Sequence, residues 1–178
     1  MAQKDLSLSV FTNDSYKRLK HHATNFRNSM YDDLEVIKSS FKNCNFNEGV
    51  FKNIKQVTQN KFSSCDCDDT IFDNVTFDNN MFKHINFQNT TFDDCTMTDD
   101  TLTKVNFNGT VIRHLNITNV TFKNVLFNNV DITNTLFDNV TFKNCTFSNV
   151  TINQSILSDK LVKALTKQGV LITNTANQ

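Results

Sequence analysis

The sequence has no proline, no tryptophan and only three glycines in 178 residues, so it lacks the residues that ordinarily build turns in a globular domain. Something other than ordinary turn chemistry must bend this chain. It also lacks an apolar run of the ~20 residues needed to span a membrane, and the opening MAQKDLSLSV lacks the charged-then-apolar layout of a secretory leader. Both absences point to a cytoplasmic protein with no membrane partner. Five cysteines, an odd number at uneven spacing, do not suit a disulfide framework and fit a reducing compartment.

A net charge of one sign is missing as well, since 18 basic and 18 acidic residues cancel. The cancellation hides a segregation. Residues 1–61 carry ten Lys and Arg against six acids, residues 62–157 five against eleven, and residues 158–178 three against one. Within the acidic middle, Asp66, Asp68, Asp69, Asp73, Asp78, Asp93, Asp94, Asp99 and Asp100 face a single base, Lys83, before residue 101. These acids are the candidate partner-binding residues. No basic stripe of the kind that nucleic-acid binding requires is evident, so no direct nucleic-acid contact is expected.

What the chain has in excess is phenylalanine, 17 in all, at a fixed spacing. In FDNVTFKNCTF, Phe137, Phe142 and Phe147 stand five apart, with Val140 and Cys145 each two residues before a ring. Five is neither the period of a strand nor that of a helix. From Phe62 to Leu157 every fifth residue is a large apolar centre except Cys67, and the residue two before it is mostly small or β-branched, as at Val75, Thr90, Cys95, Val105 and Val130. An earlier block runs through Phe26, Tyr31, Val36, Phe41, Phe46 and Phe51 in a different frame, so one extra residue lies between 51 and 62, and a bulge is expected near Val57.

In VTFDN, CTFSN, VNFNG and VTFKN this pattern resembles the pentapeptide-repeat family, over residues 26–157. The resemblance implies an all-β fold, a right-handed quadrilateral β-helix in which each pentapeptide is one side of a square and four make a coil. Residue i then stacks on i+20 at about 4.8 Å, giving four inner columns that begin at Phe62, Cys67, Phe72 and Phe77. Burying a centre contributes about 1.5–3 kcal/mol against about 1–2 kcal/mol of backbone entropy for each residue fixed. Coil-to-coil hydrogen bonds and the column of small residues must supply the rest.

The same arithmetic predicts amide ladders of Asn119 over Asn139, Asn124 over Asn144 and Asn129 over Asn149, and ion pairs of Asp93 with Arg113 and Asp94 with His114. Lys83, His84, Lys104, Lys123 and Lys143 fall on the face opposite these acids. Apolar residues just before centres, Ile71, Met81, Val111, Leu126 and Leu136, are scattered, so no large apolar side patch is expected.

Open ends need caps. Residues 1–25 read as a helical cap or a degenerate first coil, with His21 and His22 on a solvated face. Residues 158–178 read as a helix and strand cap, with Ser158 or Asp159 as N-cap, Leu161, Val162, Ala164 and Leu165 on one face, Gly169 just past the end and a strand over 170–173. Leu161, Val162 and Leu165 either close the last coil or form a homodimer seam.

No catalytic, cofactor-binding or metal site is expected. His84 and His114 fall on opposite faces, and Cys65 and Cys67 occupy inward positions that packing explains. Two functional readings follow. One is a non-enzymatic, rigid protein–protein interaction scaffold. The other comes from the resemblance to bacterial gyrase-protecting members of the family, Qnr and MfpA, which implies a dimeric DNA mimic that binds a type II topoisomerase (DNA gyrase or topoisomerase IV) and protects it against fluoroquinolones.

Overall fold

A backbone that aims every fifth side chain inward needs a corner after each short extended stretch. In the computed structural model, which describes residues 4–177, that corner is one residue of positive φ. It falls two residues after each centre, for example Asn119 at 56°, Asn124 at 54° and Asn129 at 52°. Asn enters the left-handed region more readily than other side chains because it can hydrogen-bond locally. The chain thus turns with Asn where other proteins use Gly and Pro. About eight coils stack into the right-handed quadrilateral β-helix of the all-β class, with one short helix near the C-terminus. Residues 1–3 and Gln178, the outer limits of the expected terminal caps, lie outside the described residues.

Sides of successive coils pair in parallel at a register of 20, as in Phe62 with Phe82, Phe72 with Phe92 and Phe77 with Met97. Strand Val50–Thr58 contains the extra residue: Val75 pairs with Ile54 but Phe77 pairs with Val57. The bulge therefore lies at Lys55–Gln56, Val57 is itself a centre, and neighbours across this coil are 21 apart, as in Phe41 with Phe62. Inside, rings stack along the columns that begin at Phe62, Cys67 and Phe72 and meet edge-on across corners, while the column that begins at Phe77 is mostly aliphatic. Centroids are 5.0 Å apart for Phe62 and Phe82, 5.2 Å for Phe107 and Phe127, and 5.6 Å at 66° for Phe122 and Phe127. Both geometries suit the aromatic quadrupole.

Residues 4–25 form strands paired with the coil above, with Leu6, Phe11, Tyr16 and His21 in the centre positions. His21 is consequently not on a solvated face. Its ring stacks on Phe41 at 5.6 Å and 5°, and partial burial lowers its pKa, with the Lys4 charge acting in the same direction. His22 alone is exposed.

One corner carries a polar column that the five-residue pattern does not reveal. Asn60, Asn80 and Asp100 are buried. The amide of Asn60 donates to Asn80 Oδ1 at 3.1 Å and to the Val36 carbonyl at 2.7 Å, while that of Asn80 donates to Asp100 Oδ1 at 3.0 Å and the Val57 carbonyl at 2.6 Å. Their side-chain oxygens also accept from backbone: Ser39 N to Asn60 at 2.8 Å, and Asn80 N to Asp100 at 2.6 Å. Asp100 is therefore a core residue, 1% exposed, and is withdrawn from the surface acids. Its second oxygen has no partner. Burial raises its pKa to about 7, with the Asp78 and Asp99 charges adding to the rise and the Asn80 bonds opposing it.

At the C-terminal end the helix Asp159–Thr166 starts at Ser158, whose side chain accepts from Leu161 N, and gives way at Gly169 with φ of 82°. The coil register then resumes: Thr151 pairs with Leu171, Ile152 with Ile172 and Asn153 with Thr173. Helix and turn thus stand in for the two sides that residues 160–169 would otherwise form. Leu165 is buried in the chain's own core, and Leu161 and Val162 pack against it half-buried.

At the other end a cavity of about 430 Å³ runs into the stack, its lining including Phe11, Tyr31, Val36, Val57, Cys67 and Phe87. Three of these centre positions carry small side chains, which leaves the lumen under-filled. Tyr31 Oη is buried there without a partner, and burial holds the phenol far above its ordinary pKa. Tyr31→Phe is expected to raise stability by about 1 kcal/mol, because an unmade hydrogen bond is removed with no loss of ring packing. Urea unfolding checks this, and a lower midpoint in the variant would contradict it.

Candidate protein-interaction faces

Three of the five residues on each side point outward: those before and after the centre, and the corner. A surface property can therefore extend along the rod only if it recurs at the coil register. The faces are numbered by the columns beginning at Phe62, Cys67, Phe72 and Phe77.

The predicted acids do not share a face. Asp66, Asp68 and Asp69 lie on the second, Asp73, Asp93 and Asp94 on the third, and Asp78 and Asp99 on the fourth. Several are engaged in structure. Asp66 accepts from Asn47 at 3.0 Å and from Asn86 at 2.9 Å, and Asp73 pairs with Lys52 at 3.3 Å. Desolvation raises the pKa of Asp68, and the charges of Asp69 and Asp66 add to the effect. Asn139 donates to Asn119 and Asn149 to Asn129, both at 2.8 Å, as predicted. Among the described residues Asn124 and Asn144 form no such bond.

Asp93 is in register with Arg113, but its partner is the neighbouring imidazole: His114 Nδ1 is 2.9 Å from Asp93 and 3.6 Å from Asp94. The predicted Asp93–Arg113 pair is not made. His114 sits at a left-handed corner that turns its ring back over the coil below, and Nε2 contacts Asn134 Nδ2 at 3.3 Å. Ligand atoms of Asp93, Asp94 and His114 lie within 4.8 Å of one another, the one such group among the described residues.

The third face also carries a feature absent from the sequence expectation. Val10 pairs with Met30, Met30 with Val50, and Val50 with Ile71, so four successive coils present one apolar residue each in a single row. Val10, Met30 and Ile71 are 66%, 47% and 44% exposed. The expectation of a side surface without an apolar patch is corrected here. Beside the ridge run Asp32, Lys52, Asp73 and Asp93, the residues just after the centres. The signal was present as a spacing of 20, 20 and then 21, the last step spanning the bulge.

The first face is a parallel sheet of seven strands. Each strand, or the corner that follows it, contributes one exposed lysine: Lys20, Lys42, Lys61, Lys83, Lys104, Lys123 and Lys143. Among the outward residues of this face there is no carboxylate. The ion pairs of the described residues fall on other faces: Arg27 with Glu48, Lys52 with Asp73, Lys55 with Asp33, and His114 with Asp93 and Asp94.

Comparison with known proteins bears on the architecture. A family model described as pentapeptide repeats matches residues 122–159 in eight copies. The chain is similar to the structure of trypsin-treated QnrB1, a plasmid-mediated fluoroquinolone resistance protein, with TM-score 0.51 and 14% identity over 80% of this chain and 74% of that one. HetL, a pentapeptide-repeat protein involved in heterocyst differentiation regulation from the cyanobacterium Nostoc sp. strain PCC 7120, aligns with TM-score 0.49 and 9% identity over 97% and 84% of the two chains. No curated protein sequence matches. At 14% identity the likeness to the QnrB1 structure is one of fold. Among the described residues no helix is long and apolar enough to cross a membrane.

Proposed function

The chain is a pentapeptide-repeat protein, and from that premise we propose that it is a non-enzymatic rod that holds a protein partner along its third face. The observation that carries this reading is the ridge Val10, Met30, Val50 and Ile71, with a mainly acidic row of Asp32, Lys52, Asp73 and Asp93 alongside. Apolar area provides affinity and the flanking carboxylates select orientation. The fitting partner presents an apolar strip bordered by Lys or Arg. Because the rod is rigid and the row is in register, the partner needs no rearrangement of this chain. The expected result is that a Met30→Asp, Ile71→Asp double variant loses the partner proteins that the unmodified rod retains from an extract at high salt, at unchanged melting temperature. Identical retention by both would remove the third face from consideration.

The DNA-mimic reading is favoured by a separate observation, the belt that Asp66, Asp68, Asp69, Asp73, Asp78, Asp93, Asp94 and Asp99 form round three faces of adjacent coils. Such a belt suits a basic DNA-binding saddle, of which that of a type II topoisomerase is one. In a gyrase supercoiling assay this reading expects inhibition or fluoroquinolone protection that Asp73→Asn, Asp93→Asn and Asp94→Asn together weaken.

A further inference from the structure

We propose that the first face binds single-stranded nucleic acid through its phosphodiester backbone. This goes beyond the third-face reading and rests on different residues. The formal charge of zero and the wide separation of the lysines in sequence conceal what the coil register assembles: one cation per coil along the whole seven-stranded sheet, with Lys42, Lys83, Lys123 and Lys143 in one column just after the centres, Lys20 and Lys61 just before them, and Lys104 at the corner. Six inter-strand steps of about 4.8 Å make a row about 29 Å long. Lys123 and Lys143 are direct neighbours, while Ser63 lies between Lys42 and Lys83 and Thr103 between Lys83 and Lys123. Exposed Asn43, Ser64, Asn124 and Asn144 stand at the corner beside the row and offer hydrogen bonds to phosphate oxygens.

The shape of this surface selects a thread rather than a plane. The face is one pentapeptide side wide, about 10 Å for three extended residues. The adjoining second face carries Glu48, Asp66, Asp68 and Asp69, which a broad anionic surface would meet at its edge. The lysine face offers one exposed large apolar residue, Met81, for insertion among lipids. It presents no aromatic platform for bases, so binding is expected to be electrostatic and indifferent to sequence, with oligothymidylate and oligouridylate bound alike.

The test is fluorescence anisotropy of labelled oligothymidylate and oligouridylate with the full chain, titrated between about 50 and 200 mM salt, beside flotation with phosphatidylserine vesicles. Binding is expected to weaken with salt. In the triple variant Lys42→Gln, Lys83→Gln, Lys123→Gln the slope of log K against log salt should become shallower by about 2, roughly 0.7 for each lysine removed. The control Lys52→Gln, Lys55→Gln, on other faces, should leave the slope unchanged. All five side chains are exposed, so the fold is retained and circular dichroism verifies it. No oligonucleotide binding at low salt, an equal slope in the triple variant, or binding of vesicles without binding of oligonucleotides would each overturn the proposal.

Discussion

Asp100→Asn is expected to stabilise the rod by on the order of 4 kcal/mol at pH 8 and to leave it nearly unchanged near pH 4. The folded chain holds this carboxyl at a pKa of about 7 against an ordinary 3.8, and each tenfold difference in proton affinity between the folded and unfolded states corresponds to about 1.4 kcal/mol. A raised acid pKa means that the folded state keeps a proton the unfolded state has lost. The stability contributed by the neutral form is therefore whole below pH ~4, falls as pH climbs through the folded value near 7, and is level above it. The ladder gives the reason in atoms. Asn60 and Asn80 each use the amide nitrogen to reach a backbone carbonyl, of Val36 and Val57 respectively. By the same register, the Phe77 carbonyl is the group expected to face the unpartnered oxygen of Asp100. A carboxylate there repels that carbonyl, whereas a protonated acid or an amide donates to it. Thermal unfolding at pH 4, 6 and 8 should show a melting temperature that falls with pH in the parent relative to the variant. Parallel curves would mean that the carboxylate is stabilised in a way this geometry does not contain.

The legibility of this chain in its sequence follows from how much of the fold is simple addition. Each side has one inward centre, so the columns headed by Phe62, Cys67, Phe72 and Phe77 and the amide pair of Asn119 and Asn139 could be written down by adding 20. What addition could not supply depends on where the count is interrupted or on which rotamer wins. The bulge at Lys55–Gln56 makes one step 21, which separated Val50 from Ile71 and hid the apolar ridge. The first coil has His21 in place of an apolar centre, so the stretch SYKRLKHH did not read as two sides of a square. Asn60, Asn80 and Asp100 occupy the position where most sides put a small residue; their polarity suggested surface, and only their mutual hydrogen bonds explain their burial. His114 takes Asp93 from Arg113 by the direction of its corner, which spacing does not encode. The lysine row was partly visible, from Lys83 onward, and became continuous only when Lys20, Lys42 and Lys61 were placed by the register of the first coils.

Phe92→Ala is expected to cost about 3–5 kcal/mol, the range for removing a ring from a packed core, and to do so at one place along the rod. Phe92 is fully buried; it stacks on Phe72 at 4.9 Å and meets Phe87 edge-on at 5.3 Å. In a solenoid each coil touches only its neighbours, so stability is close to a sum of coil and interface contributions. A ring removed from the middle weakens the coupling between the coils before it and those after it. The chain carries its own reporter for this. It has no tryptophan, and its two tyrosines, Tyr16 and Tyr31, both lie in the first coils. Tyrosine fluorescence therefore follows the N-terminal coils, while far-ultraviolet circular dichroism follows strands along the whole rod. In urea the two signals should coincide for the parent and separate for Phe92→Ala. Phe147→Ala, which removes a half-buried ring beneath the helical cap, should cost less and leave the signals together. A single coincident transition at lower urea for Phe92→Ala would show instead that the Phe-stacked core unfolds as one unit, with coupling between coils stronger than the loss of one ring.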